Sequence, residues 1–292
     1  MKPLLFNLEN DNPLAAELTE QIAAEAGELS LRRFPDGESY LRVLSDCKDR
    51  STIIFCNLYQ PNQKFLDLYF LADTLLELGA SRVGLITPYL AYMRQDKRFQ
   101  PGECVSSRPF ARLLSQRLDW MVTLDPHLHR YHSLDQIYSL RGEVVHAAAM
   151  IARWIRENIH QPLLIGPDSE SEQWVSQVAE LASAPFQVLS KIRHGDYDVE
   201  VSLPEVERWR EHTPVLVDDI ISSGKTMLET VAHLQRAGLP KPCCIGVHGL
   251  FSDSAYQQLS DVAEVVTCNS VPHRSNRIDI CTPLSEAALK LV

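Results

Sequence analysis

Residues 215–226 place two carboxylates and a run of small polar residues where chemistry is expected. Val215, Leu216 and Val217 lead into Asp218 and Asp219; after Ile220 and Ile221 come Ser222, Ser223, Gly224, Lys225 and Thr226. Met227, Leu228, Val231 and Leu234 then recur at helical spacing. The order is strand, phosphate-sized loop, helix, with acid at the strand's end. Amides and hydroxyls at a helix N-terminus bind phosphate. Paired aspartates beside them suit a ribose diol or a hydrated divalent ion. A plain helix cap explains one such carboxylate, but two at the end of a buried strand are costly unless something pairs with them. The segment therefore points to a ribose-phosphate site. It is not a Walker A loop, because the first glycine is missing and Lys225-Thr226 follows the strand too closely.

Other segments carry chemistry only in company. Phe34, Pro35, Asp36, Gly37 and Glu38 form a turn in which the ring could stack on a base and a carboxylate could accept from an exocyclic amine; alone, a Pro-Asp-Gly turn accounts for it. Arg94, Gln95, Asp96, Lys97 and Arg98 are a dense charge cluster, fit either to clamp polyphosphate or to form a solvated loop with internal ion pairs. Asp125 and His127 close an apolar run and could share a metal with a nucleotide, although magnesium prefers oxygen and a histidine at a strand end is the commoner case, to which His129 and His132 are assigned. Asp168 lies where a strand meets a helix and could hold a metal, while Ser169 or Ser171 as a helix cap explains much of the same segment. Lys191 and Arg193 alternate, so an extended strand puts both cations on one side, where they repel unless an anion joins them.

The net charge of -10 argues against nucleic-acid or anionic-membrane partners and makes these local cation clusters more informative. The 292 residues suffice for two domains, and 45% hydrophobic with 23% charged residues is globular. Seven cysteines without CxxC pairing read as reduced thiols of a cytoplasmic protein. The N-terminus turns polar at once, so no signal peptide is read there, and no apolar run is long enough for a membrane span.

The elements that must position these residues alternate. Strand-like runs at 52–56, 83–86, 121–124, 163–165, 186–189, 215–217 and 245–250 are interleaved with helical patterns at 65–76, 109–118 and 172–181. Such alternation predicts an α/β fold with mainly parallel sheets flanked by helices. Both halves share the rhythm of strand, loaded loop, helix and strand. Two similar domains, 1–144 and 145–292, with a site between them are expected, because ligands gather at the carboxyl ends of parallel strands.

In order along the chain, Phe34 to Glu38, Arg94-Gln95-Asp96, Asp125-Pro126-His127, Pro167-Asp168, Lys191-Ile192-Arg193 and the loop from Asp218 to Thr226 resemble the ribose-phosphate pyrophosphokinase family (phosphoribosyl pyrophosphate synthetases), of which the chain looks like a divergent branch. The resemblance implies two phosphoribosyltransferase-like domains, an N-terminal one for ATP and a C-terminal one for ribose 5-phosphate. It implies transfer of the pyrophosphoryl group of ATP to the 1-hydroxyl of ribose 5-phosphate, giving phosphoribosyl pyrophosphate and AMP. Phe34, Asp36, Gly37, Glu38, Arg94, Gln95, Asp96 and Lys97 would bind ATP; His127 and Asp168 would ligate Mg2+; Lys191 and Arg193 would be catalytic. Asp218, Asp219, Ser222, Ser223, Gly224, Lys225 and Thr226 would hold ribose 5-phosphate. A homo-oligomer, dimer or higher, goes with the family. Two departures stand out: Ser169-Glu170-Ser171 replaces a loop in which the family usually has glycine, and Lys225 stands where glycine is more common. The alternatives are a catalytically silent regulatory relative and a type I phosphoribosyltransferase; the second predicts neither an adenine-binding element in the first half nor a Lys-x-Arg strand.

Overall fold

The computed structural model describes residues 1–9, 12–128, 130–166, 172–193, 199–202, 206–252 and 254–292. Packing divides the chain into two units, residues 1–145 with 281–292, and residues 146–280. The first contains β1 (Leu4–Asn7), α1 (Pro13–Gln21), β2 (Glu25–Ala26), β3 (Leu29–Arg33), β4 (Ser39–Val43), β5 (Ser51–Phe55), α2 (Phe65–Glu77), β6 (Arg82–Thr87), α3 (Ser107–Ser115), β7 (Trp120–Leu124) and β8 (Arg141–Val145). The second contains α4 (Ala148–Asn158), β9 (Pro162–Gly166), α5 (Glu172–Ala182), β10 (Phe186–Val188), β11 (Ser190–Arg193), β12 (Val199–Ser202), β13 (Thr213–Ile221), α6 (Lys225–Arg236), β14 (Cys243–Gly249), α7 (Ala255–Val262), β15 (Glu264–Cys268) and β16 (Asn276–Ile278). The last helix, α8 (Cys281–Leu289), returns to the first unit and packs on α1, β7 and β8. A boundary at 144/145, as expected from sequence, keeps these residues with the second half, whereas packing groups them with the first. They are drawn back by apolar burial: Cys281, Leu284 and Ala288 are fully enclosed.

Each unit is built on a six-stranded sheet, ordered β2-β1-β5-β6-β7-β8 in the first and β10-β9-β13-β14-β15-β16 in the second. Every pairing in both sheets is parallel. Counting only the sheet strands of each unit in chain order, both run 2-1-3-4-5-6. Each also sets a two-stranded antiparallel ribbon, β3–β4 or β11–β12, between its second and third sheet strands. The architecture is therefore repeated, with the strand order reversing beside the first strand of each sheet, where such folds open a crevice.

Central strands β6, β7, β9, β13 and β14 are buried along most of their length, as parallel strands covered on both faces must be. In the second unit Leu163, Ile165 and Leu216 of the sheet meet Met227, Val231, Leu234 and Leu259 of the helices. In the first, Gly84 makes room for the indole of Trp120 on the next strand; a Cβ there would lie 2.0 Å from Trp120 Cε2. Close packing of this kind fixes the strand ends, and with them the loops that carry the polar residues.

Candidate active site

Strand β13 runs on through Ile221, so Asp218 and Asp219 lie within its last turn of pleat and not after it. Pairing with β14 holds them there, Asp218 opposite Gly246 and Ile220 opposite His248. Both carboxylates are half-buried, and the Asp219 amide donates to Asp218 Oδ1 at 2.9 Å. The chain then turns through Ser222, Ser223 and Gly224. Gly224 takes φ 67°, a left-handed conformation that a side chain would strain. Helix α6 starts at Lys225 with no side-chain cap and no acidic residue in its first turn. Its N-terminal amides and dipole therefore favour an anion. Ser223, Lys225 and Thr226 are exposed, and Ser222 is half-buried.

A second turn braces this loop. The amides of Leu250 and Phe251 both donate to the Ile221 carbonyl, at 2.9 and 3.1 Å, and the Ser252 amide donates to the Ser222 carbonyl at 3.1 Å. Phe251 packs against Tyr256 and His273, with ring centroids 5.2 and 4.6 Å apart, and Arg274 lies 4.4 Å above Tyr256. Burial, helped by the charge of Arg274, lowers the pKa of His273 and favours its neutral ring. No spacing in the sequence announces this brace.

The other predicted residues of the second unit are placed through the backbone. Lys191 and Arg193 occupy alternate positions of β11, opposite Val201 and Val199 of β12. Asp168, with Ser169, Glu170 and Ser171, lies outside the described residues, as does His129. Before Asp168, Gly166 ends β9, which pairs directly with β13.

In the first unit the 34–38 turn joins β3 to β4. The Phe34 amide donates to the Glu38 carbonyl at 2.8 Å, Gly37 donates to the Phe34 carbonyl at 2.9 Å, and Asp36 Oδ1 accepts from the Glu38 amide at 3.2 Å. Gly37 has φ 93°, the reason glycine is required there. Asp36 and Glu38 are exposed, and Phe34 is 39% exposed. The guanidinium of Arg32 sits 4.6 Å from the Phe34 ring and 4.1 Å from Tyr40, which orients the phenyl ring through cation–π attraction.

After β6 the charge cluster divides. Arg94 is exposed. Gln95 Nε2 donates to Glu103 Oε2 at 3.1 Å and to the Lys97 carbonyl at 3.2 Å. Glu103 also accepts from the amides of Phe99 and Gln100, and these backbone bonds hold its carboxyl below the usual range. Lys97 Nζ lies 5.0 Å above the Phe99 ring. Asp96 is the buried member, 3.3 Å from Arg130 Nε, and ties this loop to the chain that follows β7. That chain holds Asp125 at φ 31° and His127 at φ 56°, with the His127 amide donating to the Asp125 carbonyl at 2.8 Å. Departures into the left-handed region on either side of Pro126 mark a backbone held by its surroundings. Among the described residues, no group of three or more His, Cys, Asp or Glu side chains is gathered for a metal.

Known proteins match this chain along almost its whole length. The family model for the N-terminal domain of ribose phosphate pyrophosphokinase matches residues 3–117, and that for the phosphoribosyl transferase domain matches residues 133–280. The ribose-phosphate pyrophosphokinase of Methanobrevibacter smithii is 30% identical over 288 residues, 93% of this chain and 95% of that protein. That of Methanopyrus kandleri is 30% identical over 283 residues, covering 95% and 96%. Among solved structures, the phosphoribosylpyrophosphate synthetase from Mycobacterium smegmatis has a TM-score of 0.85 at 22% identity, over 99% of this chain and 98% of that one. That likeness is one of fold.

Proposed function

The chain belongs to the ribose-phosphate pyrophosphokinase family, and from that premise we propose that it transfers the pyrophosphoryl group of ATP to the 1-hydroxyl of ribose 5-phosphate, giving phosphoribosyl pyrophosphate and AMP. The observation that carries this reading is the uncapped, acid-free N-terminus of α6 beside the paired carboxylates of β13. It suits one ligand with a phosphate at one end and hydroxyls at the other.

In the reaction the 1-hydroxyl oxygen attacks the β-phosphorus, the bond from that phosphorus to the bridging oxygen of the α-phosphate breaks, and AMP leaves with the electron pair. The hydroxyl proton is lost as the new P–O bond forms. Such a displacement needs alignment and charge neutralisation more than covalent help from the protein. Asp218 and Asp219 would accept from the ribose hydroxyls and fix the direction of attack. Ser222, Ser223, Gly224, Lys225 and Thr226 would bind the 5-phosphate through amides, hydroxyls and one cation. Phe34, with Asp36, Gly37 and Glu38, would hold the adenine end, and Arg94, Gln95 and Lys97 the neighbouring phosphates; Asp96, expected from sequence to join them, is buried against Arg130 and would brace their loop instead. Lys191 and Arg193, at alternate positions of one strand, would face charge as it develops on the transferred group and on AMP.

Magnesium belongs to the same proposal. His127, Asp168 and phosphate oxygens of ATP would complete a shell that keeps several waters, and the ion would neutralise the polyphosphate. One histidine and one carboxylate are too few to cage the ion, so this donor set suits a metal brought in with the nucleotide, whose phosphate oxygens would supply further ligands. No helix among the described residues is long and apolar enough to cross a membrane. None of the seven cysteines is in a disulfide; burial raises the thiol of Cys244 to about 12 and pushes those of Cys56 and Cys243 up as well, so these three are inert, which supports a reducing cytoplasm. A homo-oligomer is part of the same proposal, taken from the family alone; Leu66 and Phe70, exposed on α2, would be candidates for its contact.

The test is AMP formation from ATP and ribose 5-phosphate in the presence of magnesium, with Lys191→Ala as control. The expected result is AMP and phosphoribosyl pyrophosphate in equal amounts, with a rate about a hundredfold lower or worse in the variant. Folded protein that binds nucleotide but forms no more AMP than the variant would refute the reading and favour a silent relative.

A further inference from the structure

Arg33 and Asp67 have no role in the chemistry above, yet they grip both ends of the 34–38 turn. Arg33 is the last residue of β3, Ser39 the first of β4, and the two are paired across the ribbon. Asp67, in the first turn of α2, is buried. Its carboxylate accepts from Arg33 Nη1 at 2.6 Å and from Nη2 at 2.5 Å, and it takes the Ser39 hydroxyl on Oδ1 at 2.5 Å. Arg33 Nη2 also donates to the Gln63 carbonyl at 3.3 Å, just before the helix. One enclosed carboxylate thus receives both strands where they enter and leave the turn.

The ribbon has reason to depend on it. A two-stranded ribbon is marginal on its own, so its attitude comes from what it docks against, and α2 is the helix that packs on β4. A bidentate guanidinium–carboxylate fork fixes direction as well as distance. Burial alone would raise the Asp67 pKa; the hydrogen bonds from Arg33 and Ser39, with the charge of Arg33, more than offset that and leave it below the ordinary value. The carboxylate is therefore ionised at neutral pH, and removing its partner would strand a buried charge.

We propose that Arg33 and Asp67 are positioning residues for ATP, aiming the 34–38 turn from α2 so that Phe34 meets the adenine already oriented. The inference rests on the reading of that turn as the adenine-binding element. If a loosened ribbon presents the turn correctly only part of the time, apparent affinity for ATP falls by that fraction, while the rate at saturating ATP is kept.

The experiment measures initial rates of AMP formation for Asp67→Asn, Arg33→Lys, Arg33→Gln and Phe34→Ala against the unaltered protein, varying each substrate in turn. Asp67→Asn and Arg33→Gln should raise KM for ATP about tenfold, with kcat within about twofold and KM for ribose 5-phosphate unchanged. Arg33→Lys, which keeps the charge and loses the fork, should fall between. Phe34→Ala separates the two ideas. If it raises KM for ATP while Asp67→Asn and Arg33→Gln do not, the anchor is refuted and the turn's role survives. If Phe34→Ala leaves KM for ATP unchanged, the adenine reading fails and the anchor with it. A joint loss of kcat and of both KM values would show general damage and overturn the proposal. Should Asp67→Asn not fold, the half-exposed Arg33 gives the same comparison through its two variants.

Discussion

Gly246→Ala is expected to reach the loop 222–224, proposed to bind the sugar phosphate, without touching any of those three residues. Gly246 lies on β14 directly opposite Asp218. A Cβ at this position would lie 2.8 Å from both Cδ1 and Cγ1 of Ile221, where ordinary contact begins at 3.4 Å, an overlap of about 0.6 Å with each atom. Ile221 is 1% exposed, packed in the second unit's core, and has no solvent to swing into. Overfilling of this kind costs about 1–3 kcal/mol, taken up by an unfavourable rotamer or by movement of the backbone. Ile221 is the residue from which the loop 222–224 departs, and its carbonyl is the one held by Leu250 and Phe251. A shift of about half an ångström there should lower kcat/KM for ribose 5-phosphate roughly tenfold, since a misplacement of about 1 Å can cost a hundredfold. KM for ATP should not move. The assay is AMP formation at saturating ATP with ribose 5-phosphate varied, paired with urea unfolding. Ile221→Val removes Cδ1, one of the two overlapping atoms, so the double variant should recover part of both losses, with a coupling of about 1 kcal/mol in stability. Strict additivity, or equal losses for the two substrates, would refute the idea that β14 sets the loop through Ile221.

Two further outcomes follow from charge. Lys225 is exposed at the first position of α6, where a cation opposes the helix dipole unless an anion shares the site. Lys225→Gln should therefore raise the thermal midpoint slightly in the absence of ligand while raising KM for ribose 5-phosphate several-fold; a lower midpoint with unchanged KM would assign the side chain to other work. Asp67 is held below its ordinary pKa in the folded chain, so its contribution is complete above the unfolded value near 3.9 and is lost as pH falls through the folded value. Thermal midpoints taken from about pH 6 down to about pH 3 should show a shallower acid decline for Asp67→Asn than for the unaltered protein, and parallel curves would count against the ion pair.

The alternation of apolar runs and helical periods made the parallel α/β class legible, because strands covered on both faces need uninterrupted apolar sequence and helices need a stripe. The loop from Asp218 to Thr226 was legible for a local reason, since its acids, hydroxyls and glycine are contiguous. Less visible was the length of β13. Aspartate disfavours strands, and only pairing with Gly246 and His248 of β14 carries the strand past both acids. The 34–38 turn could be read, but its anchor could not. Asp67 looks like an acid placed to favour a helix N-terminus, and its partner lies thirty-four residues earlier in the chain. Asp96, grouped by sequence with exposed charges, is buried against Arg130. The return of α8 to the first unit depends on which apolar face it covers, information that no local pattern holds.

The repeated strand order has a consequence for stoichiometry. In the second unit the reversal beside its first strand brings the end of β13 and the start of α6 to the crevice; the matching stretch of the first unit runs from the end of β5 to the start of α2. There the first unit supplies both members of an ion pair itself. Lys64 Nζ, next to α2, meets Glu9 Oε1 at 2.7 Å and the Asn57 carbonyl at 2.8 Å, and Glu9 follows the first strand of that sheet. Cation and anion already neutralise one another at the place where the other unit leaves an acid-free helix start. The scaffold is duplicated and these polar side chains are not, so on the proposed reading each chain would bind one sugar phosphate, the matching position of the first unit being taken by its own ion pair.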